Sequence, residues 1–373
     1  MTNWDDANFN VPDLPGLPSK LEEVTPEFLT TILQFRYPSL SVDGVEFRNV
    51  IHGASTTMLL TLDYGRTGEP CPPADVVLKA GFAEGRLEWL APALALEAIM
   101  YGRVLPNLPV DSIPCHAALR DSSTGQTVVL LDDVIAAGGS WGSGLVPMSI
   151  DEMAQLLDSV AQLHALWWGD PALDKRKWLP VNFDPSNPWS MECTIYPPSK
   201  IKYMLNETQR GEIIPYKFHQ PDLLSRSMLA LGQLSAVQPR ALLHGDLHLD
   251  NLYRTPDGGR WAMADWQAPR QGCWAWDVNK MLITDLPVEA RRRAEKDLLR
   301  HYLDRLTAYG ASPPSFDEAW LAHRRFSIYE LVVTITNTDD YHPRSVNVAR
   351  AERAVAAAMD LDTLAACADL LAD

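Results

Sequence analysis

Residues 241–265 constrain the fold of this chain more than any other stretch. The apolar run Ala241-Leu242-Leu243 ends abruptly in His244-Gly245-Asp246-Leu247-His248-Leu249-Asp250-Asn251. Polar side chains this dense beside a buried segment are costly unless something satisfies them. A metal, a proton-transfer reaction and a hydrogen-bonded turn are the three options. The next residues, Asn251 to Thr255, read as a strand, Pro256-Asp257-Gly258-Gly259 as a turn, and Arg260 to Ala264 as the returning strand, closed by Asp265. A hairpin puts the start of its first strand beside the end of its second, so Asn251 and Asp265 are expected to be neighbours. An amide oxygen and a carboxylate make a hard, oxygen-rich pair that suits Mg²⁺, which takes its other ligands from water and phosphate. Asp246, in the loop that enters the hairpin, could accept a hydroxyl proton nearby.

The rest of the chain divides by pattern. Pro-rich residues 1–20 read as an arm over the surface, and 26–38 as a short helix. Strand character follows at Ser41–Ile51, Ser55–Asp63 and Asp75–Ala80, with His52-Gly53-Ala54 as the first break. Leu87–Leu105 reads as a helix with Pro92 in its first turn. Two more strands, Ile113–Leu119 and Gln126–Leu131, flank an Asp121–Gly125 turn. After Asp133 the composition changes: 136–147 is a Gly- and Ser-rich connector, and beyond it helical patterns dominate at 149–168, 221–236, 287–307, 315–337 and 346–371. The expected class is therefore α+β: an arm (1–20), a small β-rich N-terminal lobe (21–133), a Gly-rich linker (134–148) and a larger, mainly helical lobe (149–373), with a ligand cleft between the lobes.

Charge and cysteine usage bound the partners. A net charge of −16 argues against duplex nucleic acid, whose phosphates it repels. It suits a cationic small molecule, or solubility alone. The five Cys, at 71, 115, 193, 273 and 367, show no CxxC spacing and read as reduced thiols of a cytoplasmic protein. The N-terminus lacks the pattern of a secretory signal, and no apolar run approaches the ~18 residues of a membrane span. No membrane partner is expected.

His244-x-Asp246-x4-Asn251 followed by Asp265 resembles the catalytic loop and metal-binding Asp of the aminoglycoside phosphotransferase and choline kinase superfamily, which shares the protein-kinase-like two-lobe fold. Gly245, where protein kinases usually carry Arg, and Ala264-Asp265-Trp266-Gln267, in place of Asp-Phe-Gly, point the same way. Gln267, Arg270-Gln271-Gly272, Trp276-Asp277 and LEAIMYGRVLP (96–106) are most similar to the ecdysteroid kinase-like (CHK kinase-like) branch. The resemblance implies ATP and Mg²⁺ as cofactors and a small-molecule hydroxyl as substrate. It implies Asp246 as catalytic base and Asn251 and Asp265 as metal ligands. Lys79 would contact the α- and β-phosphates of ATP, with Glu97 as its ion-pair partner. Asp132, Asp133 and Val134 would form the hinge that receives adenine. His52, Gly53, Ala54, Ser55 and Thr56 would form the phosphate-covering turn, which departs from the Gly-rich pattern in having one Gly.

Other residues divide between packing and substrate. His244 is expected to brace the loop, His164 to be buried and hydrogen-bonded, Asp277 to hold the catalytic loop, and Asp250 to be solvated or to form a local turn. His248 is a substrate-side residue in this reading. Trp274 and Trp276, with Trp141, Trp178 and Trp189, either line an acceptor pocket or pack the core. The expected acceptor is an apolar alcohol, sterol-like or hydroxyacyl. A cationic acceptor (aminoglycoside or choline-like) and a catalytically silent nucleotide-binding protein are the alternatives.

Overall fold

A computed structural model describes residues 10–53, 55–67, 70–82, 87–184, 196–257, 259–339 and 342–371. Residues 1–9 of the expected arm, Ala54, Trp189, Cys193 and Gly258 lie outside them. The chain divides into two units, Met1–Trp141 with Tyr253–Pro269, and Gly142–Leu252 with Arg270–Asp373.

The first unit is built on a five-stranded antiparallel sheet, in the order β1-β2-β3-β5-β4. Its strands are β1 (Ser41–His52), β2 (Thr56–Arg66), β3 (Asp75–Ala80), β4 (Cys115–Arg120) and β5 (Thr127–Asp132). The alternation of buried positions decides which face is covered. Met58, Leu60 and Leu62 of β2, with Val76, Leu78 and Ala80 of β3, join one core with Leu29, Ile32 and Leu33 of helix α1 (Pro26–Leu33). That helix begins where expected, with the Thr25 hydroxyl accepting from the Phe28 N–H and Pro26 in its first turn. The same alternation turns Lys79 to the opposite face, where helix α2 (Leu87–Ile99) brings Glu97.

The expected helix 87–105 is α-helical only to Ile99. A π-turn (Met100–Val104) and a 3₁₀ turn (Leu105–Asn107) complete it, and Pro92 lies inside the helix, beyond the first turn the sequence suggests. Residues of the arm dock on β4: the Leu14 N–H donates to Arg120 O at 2.8 Å, and Val11 and Leu17 are buried. The Asp121–Gly125 turn forms, with Gly125 at φ +79°, a conformation that glycine adopts without strain.

The Gly- and Ser-rich segment after Asp133 is more than a connector. It carries β6 (Ser140–Trp141), which pairs with β8 (Leu252–Arg254) in a three-stranded sheet of order β6-β8-β9. β9 is Trp261–Met263, so the expected hairpin forms with shorter strands. This pairing, with the Ser112–Met263 bridge, explains why Tyr253–Pro269 groups with the first unit and not with the helices that flank it in sequence.

The second unit is mainly helical: α3 (Ile150–Ala165), α4 (Pro198–Glu207), α5 (Pro221–Ala236), α6 (Ala275–Thr284), α7 (Val288–Ala308), α8 (Phe316–Thr336) and α9 (Arg344–Asp360). α3 and α8 each open on a capping box, Ser149 with Glu152 and Ser315 with Glu318. The pattern expected to run from 346 to 371 breaks after Asp360, where Asp362 adopts a left-handed φ of 47°. β7 (Ala241–Leu243) pairs antiparallel with β10 (Arg270–Gly272). α6 is buried on every side although it carries Asp277, Asn279, Lys280 and Thr284. Buried polar groups need partners inside the protein, and those of Asp277 and Lys280 lie in the His244–Asn251 loop. Among the described residues no helix is long and apolar enough to cross a membrane.

Candidate active site

The sequence-nominated residues fall in both units. In the first, Lys79 Nζ donates to Glu97 Oε1 at 2.5 Å and to Asp265 Oδ1 at 3.0 Å. Burial works against the Lys79 charge, but Asp265 and Glu97 more than offset it, so its pKa lies above the ordinary value. Glu97 is 1% exposed and Asp265 is 42% exposed. The Asp265 backbone sits at φ +59°, a left-handed conformation that Asp tolerates better than most residues. Gln267, noted in the sequence only as a mark of resemblance, ties the arrangement together. Its amide donates to Glu97 Oε2 and to Ser55 Oγ, both at 3.1 Å.

The nominated phosphate turn lies between β1 and β2, with the Gly53 N–H donating to Ser55 O at 3.0 Å. Ser55 and Thr56 are buried, and the Ser55 hydroxyl already serves Gln267. The nominated hinge is likewise committed through its side chains. Asp132 pairs with His116 Nε2 at 2.6 Å. Asp133 takes a 2.7 Å bond from Arg48 and caps the Ile135 N–H at 2.9 Å. Val134 is buried, and its carbonyl accepts from the Gly139 N–H at 2.8 Å.

In the second unit β7 delivers the chain into the His244–Asn251 loop. Gly245 turns it at φ +83°, which explains a glycine at this position. Asp277, fully buried near the start of α6, accepts from the His244 N–H at 2.7 Å and the Gly245 N–H at 3.0 Å. His164 Nε2 lies 3.3 Å from Asp277 Oδ2, and its Nδ1 is 2.7 Å from the Tyr302 hydroxyl. Burial opposes the Asp277 charge, yet these partners, His164 first, pull its pKa below the ordinary value. His164 is thus buried and hydrogen-bonded, and Asp277 holds the loop, as the sequence suggests.

Three groups surround the Asp246 carboxylate. Lys280 Nζ is 2.9 Å from Oδ1, the Asn251 amide donates to Oδ2 at 3.2 Å and to the Asp246 carbonyl at 2.8 Å, and His248 Nε2 faces Oδ2 at 3.5 Å. Burial pushes against the charge, but Lys280 and then His248 outweigh it and hold the carboxyl well below the usual range. His248 is buried, and burial followed by the Arg350 guanidinium lowers its pKa to about 4. It is therefore neutral at pH 7. Its Nδ1 accepts from Arg350 at 2.7 Å, which leaves the proton on the Nε2 that faces Asp246. Arg350 also pairs with Asp250, which accepts from the Gly144 N–H at 3.1 Å. Asp250 is therefore held by a long-range pair as well as by the turn expected for it.

Trp274 and Trp276 are buried at 2% and 0%. The first stacks on Tyr302 at 5.3 Å, while the second lies 3.7 Å from Tyr329 and donates to Gly245 O at 3.3 Å. Both pack in the core, one of the two outcomes the sequence left open. Trp141 is 46% exposed beside Tyr253, and Trp178 is half-buried. Lys280 and Arg350 are the neighbours of the loop that sequence reasoning missed. Lys280 lies three residues after Asp277, and so on a nearby part of the same helical face. Arg350 lies far away in the chain, in a segment with no local mark.

Among the described residues no three His, Cys, Asp or Glu side chains converge as a cation site. Mg²⁺ bound mainly by nucleotide phosphates and water needs fewer protein oxygens. Asn251 suits that role, because its amide nitrogen is committed to Asp246 and its oxygen end is the side left for a cation. Asp265 suits it through a half-exposed carboxylate presented by a constrained backbone.

The ecdysteroid kinase-like family model matches residues 211–311. No curated protein matches the chain. Solved structures similar to it include the macrolide 2'-phosphotransferase MphH from Brachybacterium faecium, at 17% identity and a TM-score of 0.46 over 87% of this chain and 97% of that one. Choline kinase LicA from Streptococcus pneumoniae is similar at 16% identity and a TM-score of 0.47, over 88% and 96%. An ethanolamine kinase from Plasmodium vivax is similar at 13% identity and a TM-score of 0.49, over 84% and 82%. The kinase-like fold class expected from the sequence rests on this chain's own elements, a small antiparallel sheet whose Lys79 pairs with Glu97 of α2, and a larger helical unit bearing the Asp246 loop. The stretch that holds Asp246, Asn251, Asp265 and Asp277 is the stretch that matches a small-molecule kinase family, the ecdysteroid kinase-like family.

Proposed function

We propose that this protein is an ATP- and Mg²⁺-dependent kinase that transfers the γ-phosphoryl group to a hydroxyl of a small molecule. The observation that carries the reading is the setting of Asp246. Buried Asp277 holds the backbone of its loop, while Lys280 and Asn251 aim its carboxylate. In this reading the acceptor oxygen bonds to the γ-phosphorus as the bond to the β,γ-bridging oxygen breaks. ADP leaves, and the hydroxyl proton passes to Asp246. A strongly acidic base suits a loose transition state, in which the hydroxyl gives up its proton late. Lys79, kept charged by Glu97, meets the nucleotide phosphates. Asn251 and Asp265 are each proposed as an Mg²⁺ ligand, and the ion would neutralise charge on the phosphate oxygens.

A phosphotransfer assay across a library of hydroxyl compounds, with ATP and Mg²⁺, tests the reading. ADP release that depends on one acceptor class supports it. Failure to bind ATP in the presence of Mg²⁺ sinks it. Asp265→Ala is expected to weaken Mg²⁺-dependent ATP binding by about tenfold or more, roughly 1.4 kcal/mol. Titration calorimetry showing unchanged affinity in that variant would remove Asp265 from the metal role.

A further inference from the structure

Gln267 makes two bonds with different consequences. It lies two residues after Asp265, and its side-chain amide donates to Glu97 Oε2 and to Ser55 Oγ, both at 3.1 Å. Chemistry fixes which end of the amide faces these groups. A carboxylate oxygen only accepts, so the end of Gln267 that meets Glu97 is the NH₂. Its two hydrogens are then both spent, one on each partner.

The bond to Glu97 has an ordinary explanation. Glu97 is buried, and Lys79 donates to Oε1, so the other carboxylate oxygen needs a donor of its own. The bond also closes a circuit. Asp265 Oδ1 meets Lys79 Nζ at 3.0 Å, Lys79 meets Glu97, Glu97 meets Gln267, and the chain returns from Gln267 to Asp265. One short segment thus carries the proposed metal ligand and a support of the proposed phosphate lysine.

The bond to Ser55 needs a different account. A serine hydroxyl has two lone pairs and one proton, and it rotates to suit its partners. Here a lone pair takes the Gln267 N–H, which restricts that rotation. Ser55 is 7% exposed, and its own proton goes to no acceptor among the described residues. Its place in the fold supplies a target. Ser55 precedes β2 by one residue, and β2 pairs Thr57 with Lys79, so the hydroxyl stands at the Lys79 end of the sheet. The one glycine of this turn, Gly53, spends its N–H on Ser55 O. With that backbone donor committed, the turn has to meet phosphate oxygens through other groups, and an unspent hydroxyl proton is one. Hydrogen bonds to an ionised acceptor are the stronger kind.

We propose that Gln267 is a positioning residue for the nucleotide: it sets the Ser55 hydroxyl so that its proton is donated to a phosphate oxygen of ATP, and it ties that donor to the Lys79–Glu97 pair. This role deepens the kinase reading and rests on it.

The test is a double-mutant cycle in the full chain, read as ATP affinity with Mg²⁺ by titration calorimetry. Ser55→Ala removes the donor. Gln267→Met keeps the length of the side chain and removes its N–H groups. Each is expected to weaken ATP binding about tenfold or more, the size of a lost hydrogen bond to a charged group. The double variant is expected to bind ATP no more weakly than Gln267→Met alone, because the hydroxyl serves ATP only while Gln267 sets it. Adenosine, which has no phosphate, should bind the parent and the variants alike.

A Gln267 that only satisfies Glu97 gives another pattern. Ser55→Ala then costs the same factor with or without Gln267, since independent effects multiply. That result overturns the positioning role. A loss for adenosine equal to the loss for ATP overturns it too, because both residues would then serve the shape of the site and not the phosphates. Unchanged ATP affinity in Ser55→Ala also overturns it, and this is readable even where Gln267→Met does not fold. In all three cases the parent binds ATP and the kinase reading stands. A parent that does not bind ATP with Mg²⁺ brings down the kinase reading itself.

Discussion

Asp246→Asn is expected to lower kcat by about 10²- to 10⁴-fold, the usual contribution of a positioned proton acceptor. The amide is nearly the same shape, and the bond from the Asn251 side-chain amide to the residue 246 carbonyl survives the change. Only the charge and the proton-accepting oxygens are lost. ATP affinity should hold, because the groups proposed to meet the nucleotide phosphates, Lys79 and its partners, are untouched. The substitution has a structural consequence as well. Lys280 is 8% exposed and its close anionic partner is Asp246. Neutralising Asp246 strands a buried ammonium, which is costly. Adding Lys280→Met to Asp246→Asn should restore melting temperature without restoring turnover. Steady-state phosphotransfer, ATP titration calorimetry and thermal denaturation on the parent and these two variants separate the effects. Full turnover in Asp246→Asn would end its assignment as the base.

The second large effect is on stability. Asp277→Ala should destabilise the chain by about 3–5 kcal/mol, the range for removing one member of a buried charged network. Two backbone N–H groups, those of His244 and Gly245, lose their acceptor at once, and His164 loses its carboxylate. Because proteins are stable by only about 5–15 kcal/mol, this variant is expected to unfold near physiological temperature or to express poorly. Asp277→Asn should cost less, since the amide oxygen still accepts one of the N–H groups. Denaturant midpoints at constant slope check both values. If Asp277→Ala unfolds at the same midpoint as the parent, the loop is held by something other than this carboxylate.

Much of this arrangement was legible beforehand because it is written in local chemistry. The β character of 55–63 and 75–80 placed two strands, and alternation within the second turns Lys79 away from the apolar core. The Pro256–Gly259 segment marked the hairpin, and Ser149 marked a helix start. Asp277 was expected to hold the loop, and it does so with both carboxylate oxygens.

What stayed hidden depended on partners far away in the chain. The Gly- and Ser-rich segment was read as a connector because two-residue β6 has no pattern of its own. It is a strand only through β8, more than a hundred positions later. Lys280 occupies a helix, and a charged side chain on a helix reads as a solvated face until its neighbours are known. Arg350, on another helix, sets the proton position of His248 across 102 residues. Spacing and residue type were enough to nominate the reacting groups, since loop, hairpin and strand geometry are short-range. Which of them are charged, neutral or unpaired was decided only by packing, because burial and long-range ion pairs, not sequence neighbours, set the electrostatic energy of a side chain.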